Sequence, residues 1–221
     1  MKATLRLMVA LVVPALVARD VAAQWNVERL GSTRNQVYTT FGLDPAFVAS
    51  VGYQRVVPML GRSWQFGAEA GVVTEQLDIR DYRARVEIRS SIVWWRSVHL
   101  VGSAAFITRG TENSIYRAIA FGSDFTGTLG VYRPHWFLAG EFGFDKAIIT
   151  HLTQSDWYRQ FYPEAKDGWY LNAGGTFHYG PAAGVVIGPA ELALRAGWRR
   201  TENFKDVTPP IYGVLGVGFR F

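Results

Sequence analysis

Residues 81–95 constrain the fold more than any other stretch of the chain. Odd positions read Asp81, Arg83, Arg85, Glu87, Arg89 and Ser91, and even positions read Tyr82, Ala84, Val86, Ile88, Ser90, Ile92 and Trp94. A period of two puts every charge on one face of a strand and the apolar side chains on the other. A helix would scatter the same charges around its circumference. The rhythm recurs along the chain. Trp64, Phe66, Ala68 and Val72 oppose Gln65, Glu69 and Glu75, and Ile119, Phe121, Phe125 and Leu129 oppose Asp124, Thr126 and Thr128. Trp136, Leu138, Phe142 and Phe144 oppose Glu141 and Asp145. Trp169, Leu171, Phe177 and Tyr179 oppose Asn172, Thr176 and His178, and Leu192, Leu194, Ala196 and Trp198 oppose Glu191, Arg195 and Arg199.

Ten strands are predicted, at about 33–42, 46–56, 62–75, 79–95, 97–109, 115–132, 135–150, 167–180, 188–200 and 210–221. Several exceed the five or six residues usual in a soluble strand. The expected class is all-β, a closed antiparallel transmembrane barrel of ten strands. The count becomes eight if 33–56 forms something else. Connections at 57–61, 96, 133–134 and 181–187 fall at one end, and those at 43–45, 76–78, 110–114, 151–166 and 201–209 at the other. Tyr53, Trp64, Trp94, Tyr132, Trp136, Tyr179 and Phe221 are placed near the first end, and Phe41, Phe47, Tyr116, Trp169 and Trp198 near the second. Rings at both ends match the aromatic girdles of a membrane barrel. A soluble barrel of lipocalin type would instead use such rings as its core.

Residues 1–23 read as a signal peptide. Lys2 and Arg6 precede an apolar run from Leu7 to Ala18, and Val21-Ala22-Ala23 offers a cleavage site, leaving 24–221 as one barrel domain. The run of 12 residues is short of the about 20 that a spanning helix needs. No later stretch is apolar for 18 residues. The net charge of +5 comes from Arg residues interleaved with Asp and Glu, without a basic block, so nucleic acid is not an expected partner. The absence of cysteine excludes disulfides, thiolate metal sites and a thiol nucleophile.

Solvation decides which face turns inward. A lipid-facing Arg costs ~2–4 kcal/mol at the midplane of such a barrel. Arg83, Arg85 and Arg89 together would cost on the order of 5–10 kcal/mol, comparable with the stability of a whole domain. The lumen is therefore expected to receive Glu69, Asp81, Arg83, Arg85, Glu87, Arg89, Asp124, Glu141, Asp145, His178, Glu191, Arg195, Arg199 and Arg220. These side chains either pair across and plug the bore or line a narrow path that selects solutes by charge. Size favours the plug, because eight strands are filled by their own side chains and 16–18 leave an aqueous channel.

The leader, the alternating strands and the closing run Tyr212-Gly213-Val214-Leu215-Gly216-Val217-Gly218-Phe219-Arg220-Phe221 together resemble the small outer-membrane β-barrel proteins of diderm bacteria, the broad group of OmpA-like and OmpX-like barrels. The resemblance spans the chain after the leader and is architectural. It implies a bacterial outer-membrane location and contact with membrane lipids and lipopolysaccharide. It also implies that Phe219 and Phe221 form a signal read by the barrel-assembly machinery. A shared fold does not by itself give function.

The segment 151–166 is the candidate recognition loop, through His151, Trp157, Tyr158, Arg159, Phe161 and Tyr162. The alternative is that these aromatics fold the loop over the barrel mouth, with a helical turn over 155–162. For catalysis, a lipid A-modifying hydrolase needs His and Ser within hydrogen-bond reach. His151, Ser155 and Asp156 lie near one rim but do not form the His-x-Ser pattern. An omptin-like protease would need paired acids and a His, and Asp78 with Asp81 lacks a neighbouring His. The four histidines, His99, His135, His151 and His178, have no metal-ligand spacing. The expected function is thus non-enzymatic, without metal or cofactor: a structural barrel or a narrow solute path with a charged lumen. The alternatives are binding through 151–166 and, third, lipid hydrolysis at the rim.

Overall fold

The computed structural model describes residues 25–29, 35–74, 80–172 and 174–221. The predicted leader, Glu75 and Asp78 lie outside the described residues. The strands are β1 (Asn35–Leu43), β2 (Phe47–Met59), β3 (Arg62–Val73), β4 (Tyr82–Trp95), β5 (Val98–Glu112) and β6 (Tyr116–Arg133). They continue with β7 (Trp136–Gln154), β8 (Gly168–Leu171), β9 (Thr176–Ile187), β10 (Ala190–Thr201) and β11 (Asp206–Arg220). One short helix, α1 (Asp156–Phe161), lies between β7 and β8.

Every strand pairs antiparallel with its neighbours, and β1 pairs with β11 from Gln36↔Arg220 to Leu43↔Gly213, closing a barrel. Both β8 and β9 pair with β7, so they form one interrupted stave and the barrel has ten staves. Closure leaves no lateral sheet edge along most of the wall.

Local chemistry sets the turns. Two-residue turns join β2–β3 at Leu60-Gly61, β4–β5 at Arg96-Ser97, β6–β7 at Pro134-His135 and β9–β10 at Gly188-Pro189. Leu60 and Gly61 both have positive φ, 56° and 71°, as a tight hairpin matched to strand twist requires. All four tight turns share one end of the barrel. The other end carries the connections 44–46, 74–81, 113–115, 155–167 and 202–205.

The structure moves several predicted boundaries. The expected connection 181–187 is strand, because β9 runs to Ile187, and the expected connection 201–209 shrinks to 202–205. Tyr179 consequently lies well above the tight-turn rim, stacked on Trp198 at 6.2 Å. Tyr132 is 1% exposed inside the bore, stacked on Phe137 at 5.3 Å, so it belongs to no girdle. A bulge between Ser91 and Val93 breaks the strict alternation of β4. A second bulge, between Phe121 and Gly122 of β6 and Ile149 and Ala147 of β7, reverses the phase of β7 beyond Ile148.

Candidate functional site: the bore

Inward positions carry polar side chains together with an apolar cluster that includes Val56, Val101, Phe137 and Ala182, and outward positions carry exposed Val86, Phe106, Phe125, Leu129, Leu138, Phe142, Ile187, Leu194 and Leu215. The tight-turn end of the bore is filled. Residues 25–29 enter it, with a 3₁₀ turn at Val27–Arg29. The backbone N–H groups of Trp25 and Asn26 donate to Glu191 Oε1 at 3.0 and 2.8 Å, and Arg220 approaches Glu191 Oε2 at 3.4 Å. Asn26 and Glu191 are both 0% exposed. The Asn26 amide donates to the carbonyls of Arg133 (2.5 Å) and Trp136 (3.4 Å), tying the segment to the β6–β7 turn. Val27 packs among Val56, Val101, Tyr132, Phe137, Ala139 and Ala182. Glu28 meets His99 at 3.0 Å, whose other ring nitrogen meets Ser91 at 3.1 Å. Gly216 makes room for the segment: a Cβ there would lie 2.4 Å from the Trp25 ring.

Gln36, Gln54 and Gln65 form a buried amide cluster on β1, β2 and β3. Gln65 Nε2 donates to Gln36 at 3.2 Å and also to Gln54. Farther along the bore come the ion pairs. Arg85 meets Glu87 at 2.6 Å and Asp124 at 3.8 Å. Glu141 accepts from Arg195 at 2.7 Å and Tyr212 at 3.3 Å, with His178 at 3.8 Å. Thr126 links Asp124 (2.7 Å) to His178 (3.2 Å), and Ser50 donates to Glu69 at 3.0 Å. Nearer the long-loop end, Arg109 pairs with Asp145, and Asp44 folds inward from the β1–β2 loop to meet Arg83 at 2.8 Å. Burial alone would raise the Asp44 carboxyl; Arg83, with Arg199 and Arg195, overrides it and holds the group below the usual carboxylate range.

A cavity of about 100 Å³ remains between these pairs, lined by Glu69, Arg85, Arg89, Glu141 and Arg195 among others. At this level the Nε atoms of Arg83, Arg85 and Arg109 are buried without a protein partner, so the bore has donor capacity to spare.

Thirteen of the fourteen predicted lumen charges lie on described strands facing the bore. Arg89 sits opposite Gln65 and lines the cavity, and Arg199 sits opposite His178. Asp81 differs. It precedes β4 at the rim, where its carboxylate accepts the Glu112 N–H at 2.9 Å. His151 also differs: it lies within β7, beyond the phase reversal, packed edge-on against Trp169 at 4.8 Å and outside the loop. The loop itself is 155–167. Ser155 caps α1, accepting from the Tyr158 N–H at 3.1 Å and donating to Ser114 O at 2.7 Å. The hydroxyl is thus engaged with backbone, and His151 is turned to a tryptophan.

On α1, Trp157 packs on Phe161 and Tyr158 on Tyr162. Arg159 binds Asp167 at 2.5 Å, fastening helix to loop exit. Phe219 pairs with Val37, and Phe221 exchanges backbone hydrogen bonds with Asn35 at 3.2 and 3.3 Å while its ring stays exposed.

The sequence reading placed Gln65 on the polar face of its strand but missed its partners Gln36 and Gln54, the filling segment, Asp44 and Arg109. Parity could have found Gln36, Gln54 and Arg109, which share the inward phase of their strands. Nothing local marks Trp25 to Arg29, because the side-chain and turn partners of Trp25 and Asn26 lie more than 100 residues away and that of Glu28 lies 71 away. No family model matches the chain, and no curated protein matches it.

Proposed function

We propose that this chain is an outer-membrane β-barrel with a closed bore, a rigid anchored scaffold rather than an open conduit. An apolar belt supports the membrane reading. Exposed Val, Leu, Ile and Phe side chains recur on the outward face around the wall, whereas soluble monomers rarely present an apolar patch beyond a few hundred Å². Beyond the apolar cluster at the tight-turn end, the inside carries paired Arg and Glu side chains, unlike the apolar interior of a soluble ligand-binding barrel.

The observation that carries the closed reading is residues 25–29 seated on Glu191 beneath the Arg–carboxylate network. A hydrated ion would have to displace both. In planar bilayers the protein is expected to remain electrically silent. Sustained discrete conductance steps would overturn the closed reading and restore the narrow path, with ion preference then shifted by Arg85→Ala.

A second reading has one observation in its favour. Trp157, Phe161 and Tyr162 are each more than half exposed on a loop that α1 and the Arg159–Asp167 pair hold in shape. Ordered, exposed aromatics suit binding of a macromolecular partner. Deleting 156–163 should leave barrel assembly intact and abolish such binding; unchanged adhesion would reject it.

A further inference from the structure

We infer that the outer wall holds one anionic glycerophospholipid, its acyl tail in a glycine-floored groove across β5, β6 and β7 and its phosphate at Arg96 and Arg133. The inference rests on the membrane reading above. Gly102, Gly127 and Gly140 occupy outward positions on three adjacent strands, Gly102 directly opposite Gly127 and Gly140 opposite Leu129. A Cβ on Gly140 would meet nothing within 4 Å, and one on Gly127 only the Phe142 carbonyl at 3.9 Å. Phe125, Leu129 and Phe142 form walls. The β4 bulge lays Ile92 over Gly102, where an added Cβ would lie 2.4 Å from the Ile92 side chain. The groove measures about 570 Å³. In hydrocarbon a groove left empty loses the dispersion contacts of its lining, so a flexible acyl chain is its natural filling.

Charge and length identify the rest of the ligand. Arg133 lies on the same outward face of β6 as Gly127, six residues nearer the tight-turn rim. At ~3.4 Å per residue and a tilt of ~40°, that spacing is about 15 Å along the barrel axis, one leaflet of a ~30 Å hydrocarbon core. Arg133 therefore stands at headgroup level when the groove reaches the midplane. Arg96 is exposed in the adjacent β4–β5 turn, its guanidinium 5.3 Å from the Trp95 ring. Among the described residues neither guanidinium has a carboxylate partner. Two such groups match phosphate oxygens and favour a headgroup lacking a compensating amine.

The test uses barrel folded into vesicles of equal phosphatidylglycerol and phosphatidylcholine, then extracted into detergent for native mass spectrometry. One phosphatidylglycerol is expected to stay bound when other lipids are stripped. Gly127→Leu with Gly140→Leu, which fills open space, should remove it while heat-modifiable migration and β-sheet circular dichroism persist. Arg96→Gln with Arg133→Gln should lower retention about tenfold and erase the headgroup preference. Equal retention by the groove-filled variant, or equal retention of both lipids by the unaltered protein, overturns the inference. So does a barrel dimer that the filled variant loses, which would give the groove to a second copy. Failure to enter vesicles at all would instead remove the membrane reading beneath it.

Discussion

The two halves of the bore use the same inward-facing positions differently. At the tight-turn end, Val27, Tyr132, Phe137 and Ala182 pack as a core, and the buried Glu191 beside it is met by two backbone N–H groups and Arg220. Toward the long-loop end the packing gives way to Arg–carboxylate pairs around a cavity. A barrel of fixed radius can thus be filled either by importing a piece of chain or by spanning it with long charged side chains. The first solution leaves little space and fixes a single arrangement. The second leaves room for water and tolerates adjustment.

The comparison breaks most readily at Glu191. Glu191→Ala deletes the acceptor of two buried N–H groups, so equilibrium unfolding in urea should show a loss of about 2–6 kcal/mol. A loss below that of an exposed pair would mean that residues 25–29 are loosely seated. Arg109→Ala tests the other half. The Arg109–Asp145 pair keeps some solvent access on both sides, and its removal should cost about 1 kcal/mol in the same assay. If the two variants cost the same, the halves are not different in kind.

The smallest effect is expected outside the bore. Asp167 accepts from the Gln154 N–H and from Arg159, which hold its carboxyl below its ordinary 3.8. A depressed carboxylate contributes stability that is present above 3.8 and lost as pH falls through the lowered value. Limited proteolysis of 155–167 should therefore stay flat from neutral pH down to about 4 and rise only below it, and Asp167→Asn should show the raised cleavage at every pH.

Much of this architecture was legible because strand parity is a local property. Arg83, Arg85 and Arg89 on one face of β4 fix its orientation without knowledge of any partner. The register of His178 and Arg195 followed from the same rule. What escaped was either a local departure from that rule or a contact distant in sequence. The bulges of β4 and β7 add single residues, and the one in β7 turned His151 away from the loop chemistry expected of it. The seating of Asn26 depends on Glu191, Arg133 and Trp136, none of which is a neighbour in sequence. Ser155 was legible as the start of a helical turn, since a serine followed by Asp156 and a run of aromatics favours a cap.

The four two-residue turns carry one more consequence. Each fixes the sliding position of two staves without slack. A single residue inserted at Leu60-Gly61 or Gly188-Pro189 would push the following strand by one step and exchange its oily and ionic sides. Insertions and deletions among descendants of this sequence should therefore accumulate at 44–46, 74–81, 113–115, 155–167 and 202–205. One rim of the molecule can vary in length over evolutionary time, and the opposite rim is held to a constant count.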